Sequence, residues 1–150
     1  MSELRELYQE MIIDHGRHPR NFGPLLEASH RHEGYNPLCG DKVTLAIQEQ
    51  NGIIQQARFE GCGCAISMAS ASLLTEAIQG QSVERVKQLF ADFHLLLTTQ
   101  QHEADLIARL GKLAVFSGVS AFPVRVKCAI LVWHVVKAML EGEAQVVRTE

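Results

Sequence analysis

Two runs of alternating apolar and polar residues, joined by Asn51-Gly52, constrain the fold of this chain more than any other feature. The runs cover residues 42–49 and 53–60, and such alternation is typical of strands with one buried face. Asn-Gly is the pair that two-residue hairpin turns favour. The sequence thus predicts a β-hairpin, and other elements must cover its apolar face. The residues predicted to face the core are Val43, Leu45, Ile47, Ile53, Ala57 and Phe59.

Apolar residues at helical spacing recur along most of the remaining chain. Ser82 is a suitable N-cap, Gly80 suits the position just after a helix, and Pro123 suits a first helical turn. We also predict a short edge strand around 28–34 and expect the tail 143–150 to be frayed. The predicted helices cover residues 3–14, 64–79, 83–93, 106–113 and 122–141.

The strands come early and the helices late, without βαβ alternation, which favours the α+β class. We predict a small antiparallel β-sheet of about three strands, covered on one face by about five to six helices. The middle of the last helix, 129–136, is apolar on nearly all sides, so we expect it to lie in the centre of the core. The length of 150 residues fits a single domain, 1–150.

Charge and hydropathy argue against several classes of partner. The net charge is −3, and no run of Lys or Arg forms the basic stripe that nucleic-acid binding requires, so we expect no nucleic acid. The apolar stretches are too short and interrupted to span a bilayer, so we expect no membrane. The charged N-terminus lacks the apolar segment of a secretory signal, which predicts a cytoplasmic location.

The four cysteines, Cys39, Cys62, Cys64 and Cys128, carry the functional signal. In a reducing compartment such residues are more often metal ligands or reactive thiols than disulfides. Their spacing does not match a zinc finger, which would need two C-x-x-C pairs. The alternative is that they are small buried apolar residues. That explanation is weak for the set, because three of the four lie in Gly-rich turns.

A carboxylate joins the thiols in the predicted site. Cys39 and Asp41 lie two residues apart in a turn that leads into a strand, and Cys64 lies at a helix start, where the dipole favours a thiolate. We predict that these residues, or Cys62 in place of Cys64, converge with Cys128 in one metal site. Thiolates with a carboxylate suit zinc or iron. From the residues alone, the site is suited to handling sulfur or metal.

Three segments resemble the signature sequences of the U-type iron–sulfur cluster assembly proteins, and they occur in order along nearly the whole chain. The early run from His15 to Asn21 is similar too. Lys127, where scaffold-type members carry His, and the long helical segment between Cys64 and Cys128 resemble the SufU branch. The three segments are Tyr35-Asn36-Pro37-Leu38-Cys39-Gly40-Asp41, Phe59-Glu60-Gly61-Cys62-Gly63-Cys64-Ala65-Ile66-Ser67-Met68-Ala69-Ser70 and Phe122-Pro123-Val124-Arg125-Val126-Lys127-Cys128-Ala129.

The resemblance implies an IscU-like α+β fold and a zinc site made by Cys39, Asp41, Cys64 and Cys128. It also implies that Cys39 accepts persulfide sulfur from a SufS-type cysteine desulfurase and passes it on to downstream cluster assembly proteins. The chain would then be a sulfur acceptor of the sulfurtransferase type rather than a free-standing enzyme. Scaffold-type relatives instead build a [2Fe–2S] cluster on the equivalent residues, so a transient cluster or iron is the alternative cofactor.

Three further alternatives stay open at this point. The string around Cys62 is similar to the Gly-Cys-Gly of the scaffold branch, but we favour Cys64 as the ligand because the frame of the following helix fixes its direction. Arg125 and Lys127 either stabilise the Cys39 thiolate or form a plain solvated helix face. The whole protein could also be a non-catalytic adaptor of the desulfurase that zinc merely stabilises.

Overall fold

The predicted hairpin forms part of a four-stranded mixed sheet in the computed structural model, which describes residues 2–38, 40–142 and 146–148. The strands are β1 (His30–Asn36), β2 (Asp41–Gln50), β3 (Ile53–Cys62) and β4 (Val146–Arg148). Their order across the sheet is β3-β2-β1-β4. The β1–β2 and β2–β3 pairs are antiparallel, whereas β4 runs parallel to β1. The α+β prediction is confirmed.

The strand predictions are wrong in two details. The edge strand predicted around 28–34 is β1, which lies inside the sheet between β2 and β4. The sheet has a fourth strand, 146–148, within the tail that we expected to be frayed, and this strand makes the sheet mixed rather than antiparallel. Three residues are too few for an alternating pattern to show in a sequence. The rest of that tail, 143–145 and 149–150, lies outside the described residues.

A β-bulge shifts the buried face of β3 by one residue. Gln48 of β2 pairs with Gln56 of β3, and the next residue of β2, Glu49, pairs with Ile54. Gln55 is therefore the extra residue of the bulge. The inward residue beyond the bulge is therefore Ile54, which is fully buried, and not Ile53, as strict alternation predicted. The other residues predicted to face the core are buried, namely Val43, Leu45, Ile47, Ala57 and Phe59.

Within the described residues, five α-helices and a long 3₁₀ segment accompany the sheet, and the second and fifth helices make most of the helix contacts with its strands. These elements are α1 (Ser2–Arg17), α2 (Ala65–Ile78), α3 (Val83–Thr98), α4 (Ala104–Leu110), the 3₁₀ segment (Gly111–Ala121) and α5 (Pro123–Leu140). As predicted, Ser82 caps α3 by accepting a hydrogen bond from a backbone N–H, and Pro123 begins α5. The helix predicted over 106–113 is interrupted at Gly111, where φ is +56°.

Helix α5 lies at the centre of the core, as its all-round apolar sequence predicted. Its Trp133 is fully buried and stacks on Phe93 of α3, with ring centroids 4.5 Å apart. Gly34 of β1 lets α5 approach the sheet, because a Cβ there would lie 3.1 Å from Leu131 Cδ1. No helix in the described ranges is long and apolar enough to cross a membrane.

Helix α1 packs against α2, although Leu4 and Leu7 at its start are exposed. The contact includes the buried side chain of His15, whose Nδ1 lies 2.7 Å from Ser72 Oγ. The same hydroxyl accepts the backbone N–H of Arg20 at 2.9 Å. Burial lowers the pKa of the His15 imidazole, and the nearby Arg20 charge lowers it further. This polar contact fixes α1 and the turn after it to the middle of α2.

Candidate metal site

Asp41, Cys64 and Cys128 converge where the sheet meets the beginnings of two helices. Asp41 is the first residue of β2, Cys64 is the N-cap of α2, and Cys128 lies in the second turn of α5. One carboxylate oxygen and the two Sγ atoms all lie within 4.8 Å of one another. Asp41 and Cys128 are buried, whereas Cys64 is exposed. The structure therefore brings together three residues that the sequence places far apart.

The Asp41 carboxylate is held by the short segment that precedes α2. Its Oδ1 accepts the backbone N–H of Cys64 at 2.9 Å, and its Oδ2 lies 3.7 Å from Cys64 Sγ. A Cβ on Gly63 would lie only 2.5 Å from Oδ1, so the close approach of this backbone requires glycine. The carboxylate is thus fixed beside the Cys64 thiol by the backbone of its own partner segment.

The geometry favours Cys64 over Cys62 as a member of the site. Cys64 Sγ accepts the backbone N–H of Ser67 at 3.4 Å, which makes the sulfur the N-cap acceptor of α2. Cys62 is the last residue of β3, where it pairs with Lys42 and is exposed. The three-residue group with clustered donor atoms contains Cys64 and not Cys62. The assignment of Cys64 as a ligand stays a prediction that this geometry supports.

The Cys128 thiol differs from Cys64 in its surroundings. Burial raises the pKa of Cys128, and hydrogen bonds with Asp41 and Cys64 raise it further. Without a cation, this thiol therefore keeps its proton at neutral pH. A metal ion would have to displace that proton, because the thiolate is the form that binds metal.

Cys39, the predicted sulfur acceptor, lies outside the described residues, whereas Leu38 and Gly40 are each held by a hydrogen bond to Asn36. Asn36, which is buried, accepts the N–H of Leu38 on Oδ1 at 3.1 Å and that of Gly40 on its carbonyl oxygen at 2.8 Å. Asn36 also pairs with Asp41 across the β1–β2 hairpin. This role of Asn36 was not predicted. An Asn before Pro is a turn signal that could have revealed it.

The two cations predicted to support the site lie near the start of α5. The Arg125 guanidinium lies over the ring of Phe122, 4.4 Å from its centroid, and its side chain is exposed. Lys127 is partly buried and directly precedes Cys128. The contact of Arg125 is a cation–π contact with the N-cap residue of its own helix. Any action of these two cations on Cys39 stays a prediction.

The residues present fit a zinc or iron ion. Two thiols and a carboxylate are donors that both metals accept. Bonds of about 2.0–2.3 Å bring the donors of one ion to within about 4 Å of each other. The observed donors lie within 4.8 Å of one another, so a small inward movement would let them share one ion. Cys39, two residues before Asp41 in sequence, is the fourth predicted ligand.

The fold and the site together define a class of protein. Proteins of this class are small α+β domains in which a strand and the starts of two helices bring thiols and a carboxylate close together. Residues 7–129 match the model of the NifU-like N-terminal domain. The chain therefore belongs to the NifU-like N-terminal domain family, which confirms the predicted membership among the U-type iron–sulfur cluster assembly proteins.

Individual relatives cover almost the full length of the chain. It is 38% identical over 144 residues to the zinc-dependent sulfurtransferase SufU of Bacillus subtilis, which covers 96% of this chain and 94% of that protein. It is 35% identical over 138 residues to the iron–sulfur cluster assembly scaffold protein IscU of Thermotoga maritima, covering 92% of this chain and 95% of that protein.

Solved structures show the same fold. A Fervidobacterium islandicum protein described as a candidate iron–sulfur cluster assembly scaffold for the SUF system aligns with a TM-score of 0.82 at 30% identity, covering 93% of this chain and 99% of that chain. The N-terminal part of a NifU-like protein from Brucella abortus aligns with a TM-score of 0.79 at 20% identity, covering 95% and 100%. The second likeness concerns the fold alone.

Proposed function

We propose that this chain is a zinc-dependent sulfurtransferase of iron–sulfur cluster assembly, acting in the cytoplasm. The convergence of Asp41, Cys64 and Cys128 from three distant segments carries the proposal, because such a donor set suits a metal ion and sulfur chemistry. The similarity to the zinc-dependent sulfurtransferase of Bacillus subtilis over 96% of this chain supports zinc as the metal. Cys39 completes the proposed set of ligands.

Cys39 is the sulfur acceptor in this proposal. Its thiolate attacks the outer sulfur of a persulfide on a SufS-type cysteine desulfurase. The S–S bond of the donor breaks, the desulfurase cysteine leaves as a thiolate, and Cys39 becomes the persulfide. The same exchange with a downstream assembly protein returns Cys39 to the thiolate. No oxidant is consumed, because each step breaks one S–S bond and forms another.

The other site residues keep their positions while Cys39 exchanges sulfur. Asp41 is held by the Cys64 N–H, and Cys128 is buried within α5. Bound zinc would supply a Lewis acid that keeps the thiols that bind it deprotonated. Lys127 and Arg125 would place positive charge near the acceptor thiolate.

The test measures sulfur transfer from a purified cysteine desulfurase. Cysteine turnover is followed as alanine formation with wild-type protein, Cys39→Ala and Cys62→Ala, and the persulfide is located by alkylation and mass spectrometry. We expect Cys39→Ala to lose both stimulation and the persulfide. Cys62→Ala, which removes an exposed thiol outside the donor group, keeps both. Full stimulation by a folded, zinc-loaded Cys39→Ala would refute the transfer role and favour an adaptor.

The similarity to the scaffold of Thermotoga maritima over 92% of this chain supports a second function, a scaffold for a [2Fe–2S] cluster. The two functions separate after anaerobic reconstitution with iron and sulfide. A stable cluster that transfers to an apo-acceptor protein would support the scaffold. Tightly bound zinc without a cluster would support sulfur transfer. In this second function, the [2Fe–2S] cluster is cargo that the protein assembles and passes on, and it is not a resident cofactor.

A further inference from the structure

A buried hydroxyl joins the two helices that carry the thiols of the site. Ser70 of α2 donates a hydrogen bond to the carbonyl oxygen of Ala129 in α5 at 2.6 Å. The indole N–H of Trp133, one turn further along α5, donates to the same hydroxyl at 3.1 Å. Ser70 and Trp133 are both fully buried. The hydroxyl therefore has one donor and one acceptor partner, both on α5.

These hydrogen bonds join α2 and α5 a short way along the chain from the two thiols. Ala129 is the residue after Cys128, and Ser70 follows Cys64 by six residues, or about 9 Å along α2. Trp133 is held on its other side by stacking on Phe93 of α3. The hydroxyl consequently links one point on α2 to two points on α5, one of which adjoins Cys128.

Metal binding requires the two thiols to be held at a well-defined separation. Functional sites need their side chains held to about 0.5 Å by supporting residues. Residues outside the ligand shell that orient ligands commonly change metal affinity by about 10–100-fold. Cys64 is exposed at the N-cap of α2, so the register of α2 against α5 is a principal constraint on its distance from Cys128.

We propose that Ser70 is a positioning residue of the metal site, setting the register of α2 against α5 and thereby the spacing of Cys64 and Cys128. This inference rests on the metal site of the proposed function. It predicts that loss of the hydroxyl weakens metal binding beyond any general loss of stability. A purely structural hydroxyl would change the stability and leave the metal site unaltered.

The chain supplies a closely matched control at Ser72. Ser72 lies on the same helix, is also fully buried, and makes two polar contacts at 2.7 and 2.9 Å. Its partners are His15 and Arg20, in α1 and the turn after it, rather than α5. Ser70→Ala and Ser72→Ala therefore remove the same group from two sides of one helix.

The experiment titrates metal-stripped full-length wild type, Ser70→Ala and Ser72→Ala with Co²⁺, followed by zinc competition, and records urea unfolding without metal. The thiolate-to-cobalt and ligand-field absorption bands report the geometry of the site directly. We expect both variants to unfold at lower urea concentration. Only Ser70→Ala should shift the cobalt bands and weaken metal binding, by about tenfold. Ser72→Ala should stay within about twofold of wild type.

Equal metal affinities and identical cobalt bands in the two variants would overturn the inference while leaving the proposed function intact. A wild-type protein that binds neither Co²⁺ nor zinc would overturn both. If Ser70→Ala does not fold, Ser70→Thr and Ser72→Thr give the same comparison, because each adds a methyl group to one of the two contacts. The inference then requires a larger change in affinity and spectrum for Ser70→Thr, and equal changes would overturn it.

Discussion

Replacing Gly63 with alanine tests how the Asp41 carboxylate is held. The added Cβ would lie 2.5 Å from Oδ1 and 3.0 Å from Cγ of Asp41. Gly63 is not one of the glycines with positive φ, so an alanine can adopt its backbone conformation without strain. Gly-to-Ala replacement at a compatible backbone is otherwise mildly stabilising, so a loss of stability must come from the contact with Asp41.

The size of the effect follows from the burial of Asp41, which is only 1% exposed. Overpacking a buried contact costs about 1–3 kcal/mol, and losing a hydrogen bond to a charged acceptor costs about 1.5–3 kcal/mol. One displacement of the carboxylate causes both losses, so they overlap. We expect Gly63→Ala to lower the free energy of unfolding by about 2–4 kcal/mol. The Tm would then fall by about 5–15 °C.

The assay combines urea unfolding with zinc content after purification. Gly118→Ala is the matched control, because Gly118 also lacks a positive φ and a Cβ there would meet nothing within 4 Å. We expect Gly118→Ala to change the free energy of unfolding by less than about 1 kcal/mol and to keep its zinc. Gly63→Ala should lose both stability and zinc, because the displaced carboxylate is a predicted ligand.

A double-mutant cycle tests whether the effect of Gly63→Ala passes through the Asp41 carboxylate. In an Asp41→Ala background the carboxylate is absent, so adding Gly63→Ala should cost at least about 1 kcal/mol less than it does in the wild type. An equal cost in both backgrounds would show that the effect does not pass through the carboxylate. Wild-type stability and zinc content in Gly63→Ala itself would refute the reasoning outright.

Two further predictions concern the ligands and the response to pH. Cys64→Ser should lose zinc while Cys62→Ser keeps it, by metal analysis of the purified proteins, and the opposite pattern would reverse the assignment. Because burial and then Arg20 lower the pKa of His15 from 6.5, the folded state binds that proton less tightly than the unfolded chain. The free energy of unfolding should therefore fall below about pH 6.5, by up to about 1.4 kcal/mol per pH unit. His15→Asn should make this dependence shallower at fixed metal content, and an unchanged slope in urea melts would contradict this.

The elements that the sequence predicted correctly are those with a strong local period. The strand 42–49 and the last helix each carry an apolar pattern that identifies its buried face without further information. The bulge at Gln55 and the strand 146–148 depend on pairing with residues elsewhere in the chain, so no local period reveals them. Gly34 allows the close approach of α5 to the sheet, and this contact between distant segments likewise has no local pattern that reveals it.

The candidate donors of the site were easier to predict from the sequence than the residues that support them. Thiols in Gly-rich turns, with a carboxylate two residues from one of them, marked Cys39, Asp41 and either Cys64 or Cys62 as candidate donors. The structure brings Asp41, Cys64 and Cys128 together. The Asn36-Pro37 pair is a turn signal in the sequence, but the pairing of Asn36 with Asp41 across the hairpin is visible only in the structure. The role of the Ser70 hydroxyl cannot be predicted from the sequence either, because its two hydrogen-bond partners lie 59 and 63 residues away in the chain.

Asp41 connects the candidate metal site to the stability of the fold. It begins β2, accepts the N–H of Cys64, and faces Cys128, so its carboxylate joins a strand to the starts of two helices. A metal bound there at a thousandfold excess over its Kd would add about 4 kcal/mol to the free energy of unfolding, and a tenfold weaker Kd would reduce that gain by about 1.4 kcal/mol. Substitutions that disturb the donors should therefore cost more stability with zinc than without it. Substitutions elsewhere in the core should cost the same in both states, and this difference separates ligand geometry from packing.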